Sequence, residues 1–250
     1  GAIPYILKQV NVPIFATNLT VGLIESKLEE HKMLDIVNLN VVKPGDIIKL
    51  DKLKVEFIRT NHSIADSCSL AIHTPLGIIV HTGDFKVDFT PVDGNVIDLQ
   101  RFAKLGKQGV LLLMADSTNA CHPGYTMSEK TVGEKLDNLF SKGKGRIIVA
   151  TFASNIHRLQ QIINSSIKYG RKVAFSGRSM EKISDVAVKL GYLDMPEGLL
   201  VDLKDLRLYN NDQITIVTTG SQGEPMSALT RIASSTHKNI QIEKDDMIII

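Results

Sequence analysis

The sequence predicts an α/β protein of two domains, and two patterns along the chain support this prediction. In residues 1–125, strand-like runs of apolar and β-branched residues end in short polar loops, with short helices between them. In residues 126–250, strand-like runs alternate with amphipathic helices, which is typical of a mainly parallel sheet flanked by helices. We therefore expect a layered α/β domain followed by a second α/β domain, with the boundary near Tyr125.

The first domain is predicted to contain a group of strands that lead into polar loops. Strands are expected at residues 55–60, 69–73 and 78–81. A Thr-Pro-Leu-Gly turn at residues 74–77 joins the last two of them. Residues 109–115 form a continuous apolar run, which predicts a buried strand that ends at Asp116.

The second domain is predicted to begin with a capped helix. Thr126 and Glu129 have the spacing of a capping box, and Ser128 is an alternative cap. The side chains expected to face the core are Val132, Leu136 and Leu139.

Two further helices and four strands complete the predicted second domain. The helices are expected at residues 155–169 and 179–190, and a glycine closes each of them. The apolar stripe of the first helix consists of Ile156, Leu159, Ile163 and Ile167. The strands are expected at residues 146–151, 172–175, 213–218 and 247–250.

Composition narrows the class of protein. A hydrophobic fraction of 43% and a charged fraction of 22% are ordinary for a soluble globular chain of 250 residues. Cys68 and Cys121 lie far apart, so we expect neither a disulfide framework nor a zinc knuckle, which fits a cytoplasmic protein. No apolar run approaches the roughly 20 residues that span a bilayer, so no membrane partner is expected. A net charge of +2 does not by itself demonstrate nucleic-acid binding.

Two polar segments carry the strongest chemical signal, because each places a metal-binding side chain after a predicted strand. His62 follows the first strand and Asp84 follows the third, 22 residues later. A histidine and an aspartate on adjacent strand-end loops can share a hydrolytic metal centre, in which the carboxylate bridges two ions. Both residue types also occur at strand ends as caps and turn formers, so the pair alone leaves both interpretations open.

Polar residues after later strands form a second group of candidates. Asp116 can orient a ligand histidine or help a proton leave, or it can be a cap or turn residue. Three strand–helix junctions carry small polar residues, at residues 153–155, 176–179 and 220–223. Helix N-termini at the carboxyl ends of parallel strands offer N–H groups to phosphates, although ordinary capping explains any single junction. The candidates for contact with phosphates are Ser154, Arg178 and Ser221, with His157 one turn into a helix.

Five segments resemble the motifs of a known nuclease family. Residues 62–67 (His-Ser-Ile-Ala-Asp-Ser) and 82–86 (Thr-Gly-Asp-Phe-Lys) are similar to the third and fourth metal-binding motifs of metallo-β-lactamase-fold nucleases. Residues 116–120, 150–158 and 219–225 are similar to motifs of the β-CASP branch. The residues of these motifs are most similar to those of bacterial ribonuclease J. The resemblance runs essentially from Gly1 to Ile250, with the five motifs in the family's order.

The resemblance implies a fold and a set of functional residues. It implies a metallo-β-lactamase αββα layer domain followed by a β-CASP domain, with two zinc ions, or Mn²⁺ or Mg²⁺ in their place. His62 and Asp84 would be metal ligands, and the ions would activate a water for attack on a phosphodiester. Asp116 would be the first β-CASP motif and His157 the second, so that both join Asp84 in the catalytic set.

The resemblance also implies an activity, and it leaves alternative functions from other classes of protein open. The parent enzyme would be a zinc-dependent ribonuclease with 5′-to-3′ exonuclease and endonuclease activity, acting on RNA in rRNA processing and RNA decay. It would form a homo-oligomer or a hetero-oligomer with a paralogue. The rivals are a β-CASP nuclease of the mRNA 3′-end or DNA-repair type, and a non-catalytic RNA-binding subunit. The Gly-Ser-Gln-Gly-Glu-Pro string at residues 220–225 favours ribonuclease J over the other nucleases.

The sequence departs from the family's pattern at both ends. It lacks the first metal motif, His-x-His-x-Asp-His, and it begins with the Gly-Ala-Ile-Pro-Tyr string that follows this motif in the family. After residues 247–250 there is no Gly-His-rich phosphate motif. We therefore expect an internal fragment, with residues 1–125 truncated at the N-terminus and residues 126–250 truncated at the C-terminus. Such a fragment alone would be inactive.

Overall fold

The structure, a computed structural model, describes residues 2–118 and 120–250. Gly1 and Asn119, which belong to two of the motif strings, lie outside the described residues. The chain divides into two compact units, residues 1–129 and residues 130–250. The sequence placed the domain boundary near Tyr125, and the structure divides the chain after Glu129.

In the part of the first unit that the structure describes, two sheets combine with three α-helices. The helices are α1 (Ile3–Leu7), α2 (Asn18–Glu30) and α3 (Leu99–Gln108). The strands are β1 (Ile14–Thr17), β2 (Leu39–Val42), β3 (Ile47–Leu50), β4 (Leu53–Arg59), β5 (Cys68–Thr74), β6 (Gly77–His81) and β7 (Val110–Met114). Strands β1 and β2 form a parallel pair, and β3 to β7 form a five-stranded sheet in sequence order. That larger sheet is mixed, because only β6 and β7 run parallel.

Helix α3 covers the middle of the five-stranded sheet. Leu105 on α3 packs with Ile58, Ala71 and Val80 on the three central strands. An ion pair fastens the same helix to β4, since the Arg101 guanidinium donates hydrogen bonds of 2.5 and 2.7 Å to the buried Glu56 carboxylate. Strands β4 and β6 lead to the loops at residues 62–67 and 82–86, which we call the metal-motif loops. Apolar packing holds both strands, and the charged pair also holds β4.

The prediction that the strand at residues 109–115 would be buried is wrong. A strand does form there, as β7, but its five apolar side chains are 37–62% exposed. Among the described residues, strand β7 lies at the edge of the sheet with β6 as its one strand neighbour. The helix core lies on β4, β5 and β6 instead. An apolar run predicts a strand, but it does not specify what covers that strand.

The second unit is a parallel sheet flanked by helices. The helices are α4 (Glu129–Phe140), α5 (Ile156–Lys168), α6 (Arg178–Lys189) and α7 (Ala228–Ala233). The strands are β8 (Ile147–Ala150), β9 (Lys172–Ser176), β10 (Ile214–Thr218) and β11 (Met247–Ile249). Their order is β11-β8-β10-β9, and every neighbouring pair is parallel. The predicted fold class, α/β with a mainly parallel sheet in the second half, is confirmed.

Two helices of this unit bury a slightly different face from the predicted one. In α4, Phe140 is buried while Leu139 is exposed, and in α5, Ile162 and Ser166 are buried while Ile167 is exposed. Each α-helical residue turns about 100°, so Phe140 lies about 40° from the buried Leu136 and Leu139 about 60° from it, on the other side. In α5, Ser166 lies about 20° from the buried Leu159, whereas Ile167 lies about 80° from it. The extrapolated stripe therefore drifted off the core face.

The cap of α4 also differs from the capping-box prediction. The helix begins at Glu129, so this residue occupies the first helical position and not the third, and the capping box with Thr126 is wrong. Ser128, the alternative cap, directly precedes the helix. No helix among the described residues is long and apolar enough to cross a membrane.

Candidate active site

A backbone bridge brings the two metal-motif loops together in the first unit. Asn61 and Lys86 form an isolated antiparallel bridge, in which the Lys86 N–H donates to the Asn61 carbonyl oxygen at 2.8 Å. The Asn61 side chain is buried and fixed at both ends, because its Oδ1 accepts from Ile97 N–H at 2.9 Å and its Nδ2 donates to the Asn95 carbonyl at 2.6 Å. The residues next to this bridge are the predicted ligands.

His62 and Asp84 face each other across the two loops. The His62 Nε2 and Asp84 Oδ2 atoms lie 3.7 Å apart, and the two side chains are 35% and 76% exposed. Two ligands of a tetrahedral zinc ion at about 2.1 Å from the metal would be about 3.4 Å apart, so the pair suits a shared ion in both atom type and separation. A cavity of about 310 Å³ beside the pair is also lined by Thr17, Asp66 and Cys68.

The pair is a partial ligand set. Among residues 2–118 and 120–250, no group of three or more His, Cys, Asp or Glu side chains is arranged to hold a metal ion. Zinc sites in proteins usually take three or four protein ligands. The described residues therefore fit a metal centre as contributors of two ligands, and the ligand roles of His62 and Asp84 stay predictions.

Asp116 is tied to the same loops through Thr82. The Met114 carbonyl at the end of β7 accepts from Thr82 N–H at 3.0 Å, and the Thr82 hydroxyl in turn accepts from Asp116 N–H at 2.9 Å. Hydrogen bonds from Thr118 lower the pKa of the Asp116 carboxyl, and the His62 ring adds a smaller effect in the same direction. The lowered pKa keeps the Asp116 carboxylate ionised, as a proton acceptor or an orienting group requires.

Two other polar residues near the pair have local structural roles. Asp66 adopts a left-handed conformation with φ of 60°, which suits a turn residue. The Nδ1 atom of His81 accepts a hydrogen bond from Gly83 N–H at 3.0 Å, so this ring stabilises the turn that carries Asp84.

Asp88 is a buried carboxylate that no sequence pattern revealed. It holds the end of the loop at residues 82–86 in place. Asp88 forms an ion pair with Lys86 at 3.3 Å and accepts hydrogen bonds from Thr90 N–H, Ser128 Oγ and Glu129 N–H. Burial alone would raise the pKa of Asp88, but these hydrogen bonds outweigh it and lower the pKa. Lys86 of the motif therefore holds the loop in place, and Asp88 had no pattern that could have identified it.

In the second unit, the three predicted strand–helix junctions follow β8, β9 and β10, and the last residues of these strands are in register with one another. Thr218, the last residue of β10, is in register with Ala150 at the end of β8 and with Ser176 at the end of β9. We call this row and the junctions that follow it the carboxyl edge. Because β8, β10 and β9 are neighbours, the three junctions lie side by side along that edge.

The four predicted residues of this unit lie on those junctions. Ser154 and His157 are half-buried around the start of α5, which Asn155 caps by accepting a 3.1 Å hydrogen bond from Arg158 N–H. Arg178 is exposed and is the first residue of α6, and Ser221 is half-buried in the loop after β10. The structure thus places these residues at the edge where phosphate binding was predicted, and their binding roles stay predictions.

The loop after β10 has a backbone that requires glycine. Gly220 has φ of +116°, and a Cβ atom there would collide with Ser227 Oγ and lie 2.9 Å from Leu229 Cβ. The loop therefore folds back tightly onto the start of α7, where Leu229 N–H donates to the Thr219 carbonyl at 3.0 Å. This close approach explains the glycine of the Gly-Ser-Gln-Gly-Glu-Pro string in physical terms.

Comparison with known proteins finds a family model that matches the second unit and relatives that align with the whole chain. Residues 144–250, which lie within the second unit, match the family model described as the beta-CASP domain of ribonuclease J. Ribonuclease J of Synechocystis is 49% identical over 251 residues, which cover 100% of this chain and 39% of that protein. Residues 144–250 therefore form a beta-CASP domain of the ribonuclease J type. Ribonuclease J of Helicobacter pylori is 46% identical over 100% of this chain and 36% of its own length.

A further relative and a solved structure are also similar to this chain. Ribonuclease J2 of Bacillus subtilis is 40% identical over 100% of this chain and 45% of its own length. The chain thus spans between 36% and 45% of the length of these three ribonuclease J relatives. A crystal structure of a protein of unknown function from Enterococcus faecalis has a TM-score of 0.63 at 15% identity, covering 95% of this chain and 65% of that one, and shows a shared fold alone.

Proposed function

We propose that this chain carries part of the active site and part of the RNA-binding surface of a metal-dependent ribonuclease. The enzyme would hydrolyse RNA phosphodiesters as a 5′-to-3′ exonuclease and endonuclease in RNA processing and decay, including that of rRNA, in the cytoplasm. The observation that carries the proposal is the 3.7 Å approach of His62 Nε2 and Asp84 Oδ2 in a chain whose full length aligns with ribonuclease J relatives. The proposal extends to a homo-oligomer or a hetero-oligomer with a paralogue.

The first unit would contribute the hydrolytic residues. His62, through its Nε2 atom, and Asp84, through its carboxylate, would be two of the ligands of a zinc centre, with Mn²⁺ or Mg²⁺ as alternatives. A bound metal would supply a Lewis acid and lower the pKa of a water molecule. Asp116 would accept a proton or orient His62, because its lowered pKa keeps it ionised.

The second unit would hold the RNA backbone. Arg178 would provide a charge-assisted contact to a phosphate, and Ser154 and Ser221 would provide hydroxyl and backbone donors. His157, one residue into α5, would face the bound RNA. Such contacts bind phosphates of any sequence, so they favour affinity over base recognition.

A segment exchange tests the proposal. The 251 aligned residues of the Synechocystis ribonuclease J would be replaced by this chain, and the product assayed on 5′-phosphorylated RNA with and without Mn²⁺ or Zn²⁺. We expect metal-dependent cleavage, which Asp84→Asn lowers by more than about 100-fold, the upper range seen for outer-shell partners of metal ligands. Binding of RNA should remain.

The matched control is Asp35→Asn, which removes the charge of an exposed aspartate in the same unit. This variant should cleave like the unsubstituted exchange protein. Near-normal cleavage by Asp84→Asn would show that Asp84 does not contribute to the metal centre.

A further inference from the structure

A histidine outside the predicted motifs is fixed to the end of a strand at the carboxyl edge. The Nε2 atom of His237, in the segment after α7, lies 3.1 Å from the hydroxyl of Ser176, the fully buried last residue of β9. The Nδ1 atom of His237 accepts hydrogen bonds from the N–H groups of Asn239 at 3.3 Å and Ile240 at 3.2 Å. The ring thus joins the segment after α7 to the end of β9.

The hydrogen bonds define the protonation state of the ring. Because Nδ1 accepts two N–H groups, the proton of the neutral imidazole is on Nε2, which donates to Ser176 Oγ. Burial lowers the pKa of His237, and the charge of Arg231 lowers it further, so the neutral form is favoured. A protonated Nε2 cannot take a proton from Ser176, and a fully buried hydroxyl cannot attack a substrate, so the pair is not a nucleophile and base.

The pair joins two junctions that carry predicted phosphate contacts. Gly177 follows Ser176 and leads directly into α6 at Arg178, with φ of +119°. A Cβ atom on Gly177 would lie 3.7 Å from the Thr219 hydroxyl, so this junction packs closely against the one after β10. His237 follows α7, and its N–H donates to the carbonyl of Arg231 on that helix at 3.0 Å. Helix α7 begins after the second junction, so the bond of His237 to Ser176 connects the two junctions through α7.

We propose that His237 is a positioning residue for the RNA-binding surface at the carboxyl edge. Acting through Ser176, it holds the junctions that carry Arg178 and Ser221 in one arrangement, so that both can meet consecutive phosphates of a single RNA strand. His237 does not touch the RNA. This inference rests on the proposed function, and it adds a residue on which the binding geometry depends.

The test is a thermodynamic cycle on RNA affinity. A 5′-phosphorylated single-stranded RNA of about ten nucleotides, the range that such binding sites cover, is titrated with the chain in metal-free buffer, and fluorescence anisotropy is measured. We expect His237→Ala and Ser176→Ala each to weaken binding about tenfold, and the double variant to be no weaker than either single one, because both act through one contact. His237→Gln, which keeps an N–H donor near Nε2, should recover most of the affinity.

A control variant separates positioning from general stability. The buried Arg171 donates to the carbonyls of Gly143, Gly145 and Ile214, at the amino ends of β8 and β10 and so at the opposite edge of the sheet. Arg171→Lys should lower the unfolding temperature without changing RNA affinity. Binding is compared at a temperature at which circular dichroism shows every variant to be folded.

Three results would overturn the inference. They are wild-type affinity in His237→Ala, additive losses in the double variant, and losses that follow the unfolding temperature across all variants including Arg171→Lys. If the unsubstituted chain binds RNA and Arg178→Ala weakens it while His237→Ala does not, only the role of His237 fails. If the unsubstituted chain has no affinity for the RNA, the proposed RNA-binding surface fails with it.

Discussion

His62 Nε2 and Asp84 Oδ2 lie 3.7 Å apart although 22 residues separate them in the sequence. The bridge between Asn61 and Lys86 creates this proximity, since each ligand candidate is within two residues of a bridge partner. Lys86 is itself held by the buried Asp88. The geometry of the pair therefore depends on backbone pairing and a buried charge, and not on the two side chains alone.

Metal binding by the chain should be weak and should require both residues. A complete structural zinc site contributes about 10–16 kcal/mol, so two of four ligands should give about 5–8 kcal/mol and a Kd between about 1 µM and 0.2 mM. Calorimetric titration with Zn²⁺ measures this value. His62→Ala and Asp84→Ala should each abolish the binding, while His122→Ala, at an exposed histidine, should retain it. Retention in both of the first two variants would contradict the predicted site.

RNA affinity should depend on the charge at the start of α6. Removal of one phosphate contact weakens binding to all sequences and reduces the slope of log affinity against log salt by about one unit. We therefore expect this change in Arg178→Ala, measured by anisotropy over a salt series. Lys189→Ala, at the exposed last residue of the same helix, is the matched control and should leave the slope unchanged. Equal slopes in the two variants would place the phosphate contact elsewhere.

Stability of the second unit should fall as the pH drops below about 6.5. The pKa of His237 is lowered in the folded chain, while in the unfolded chain it is near its usual value of 6.5. The unfolded state thus binds more protons below pH 6.5, so the contribution of His237 is present above that pH and is lost as pH falls through the folded pKa. Urea unfolding at pH 7.5 and 5.5 measures this, and His237→Gln should reduce the difference. An identical pH dependence in the variant would refute this assignment.

The exposed apolar strand β7 should promote self-association of the chain. Its five side chains are 37–62% exposed on an edge strand, which can pair with another copy. Leu113→Lys should lower the aggregated fraction in light scattering while changing the free energy of unfolding by less than about 0.5 kcal/mol. Leu76→Lys, at an isolated exposed leucine in a turn, should have little effect on aggregation. Equal aggregation of the chain and Leu113→Lys would show that β7 is not the association surface.

The sequence predicted features that depend on local pattern. The alternation of strands and helices predicted the parallel sheet, and strand-end loops predicted that His62 and Asp84 would approach each other. Features that depend on distant neighbours were not predictable. The apolar run of β7 gave no sign that its faces would be exposed, and Asp88 and His237 have roles only because partners 40 and 61 residues away meet them. Side-chain contacts of this kind follow from tertiary packing, which no short window of sequence contains.

The most direct test of the account is the position of a bound metal. Crystals of the Synechocystis exchange protein would be grown with Zn²⁺, and anomalous scattering recorded at the zinc absorption edge. We expect an anomalous peak within about 2.0–2.2 Å of both His62 Nε2 and a carboxylate oxygen of Asp84. A protein that cleaves RNA in a zinc-dependent manner, with its zinc peak in contact with neither residue, would contradict the account.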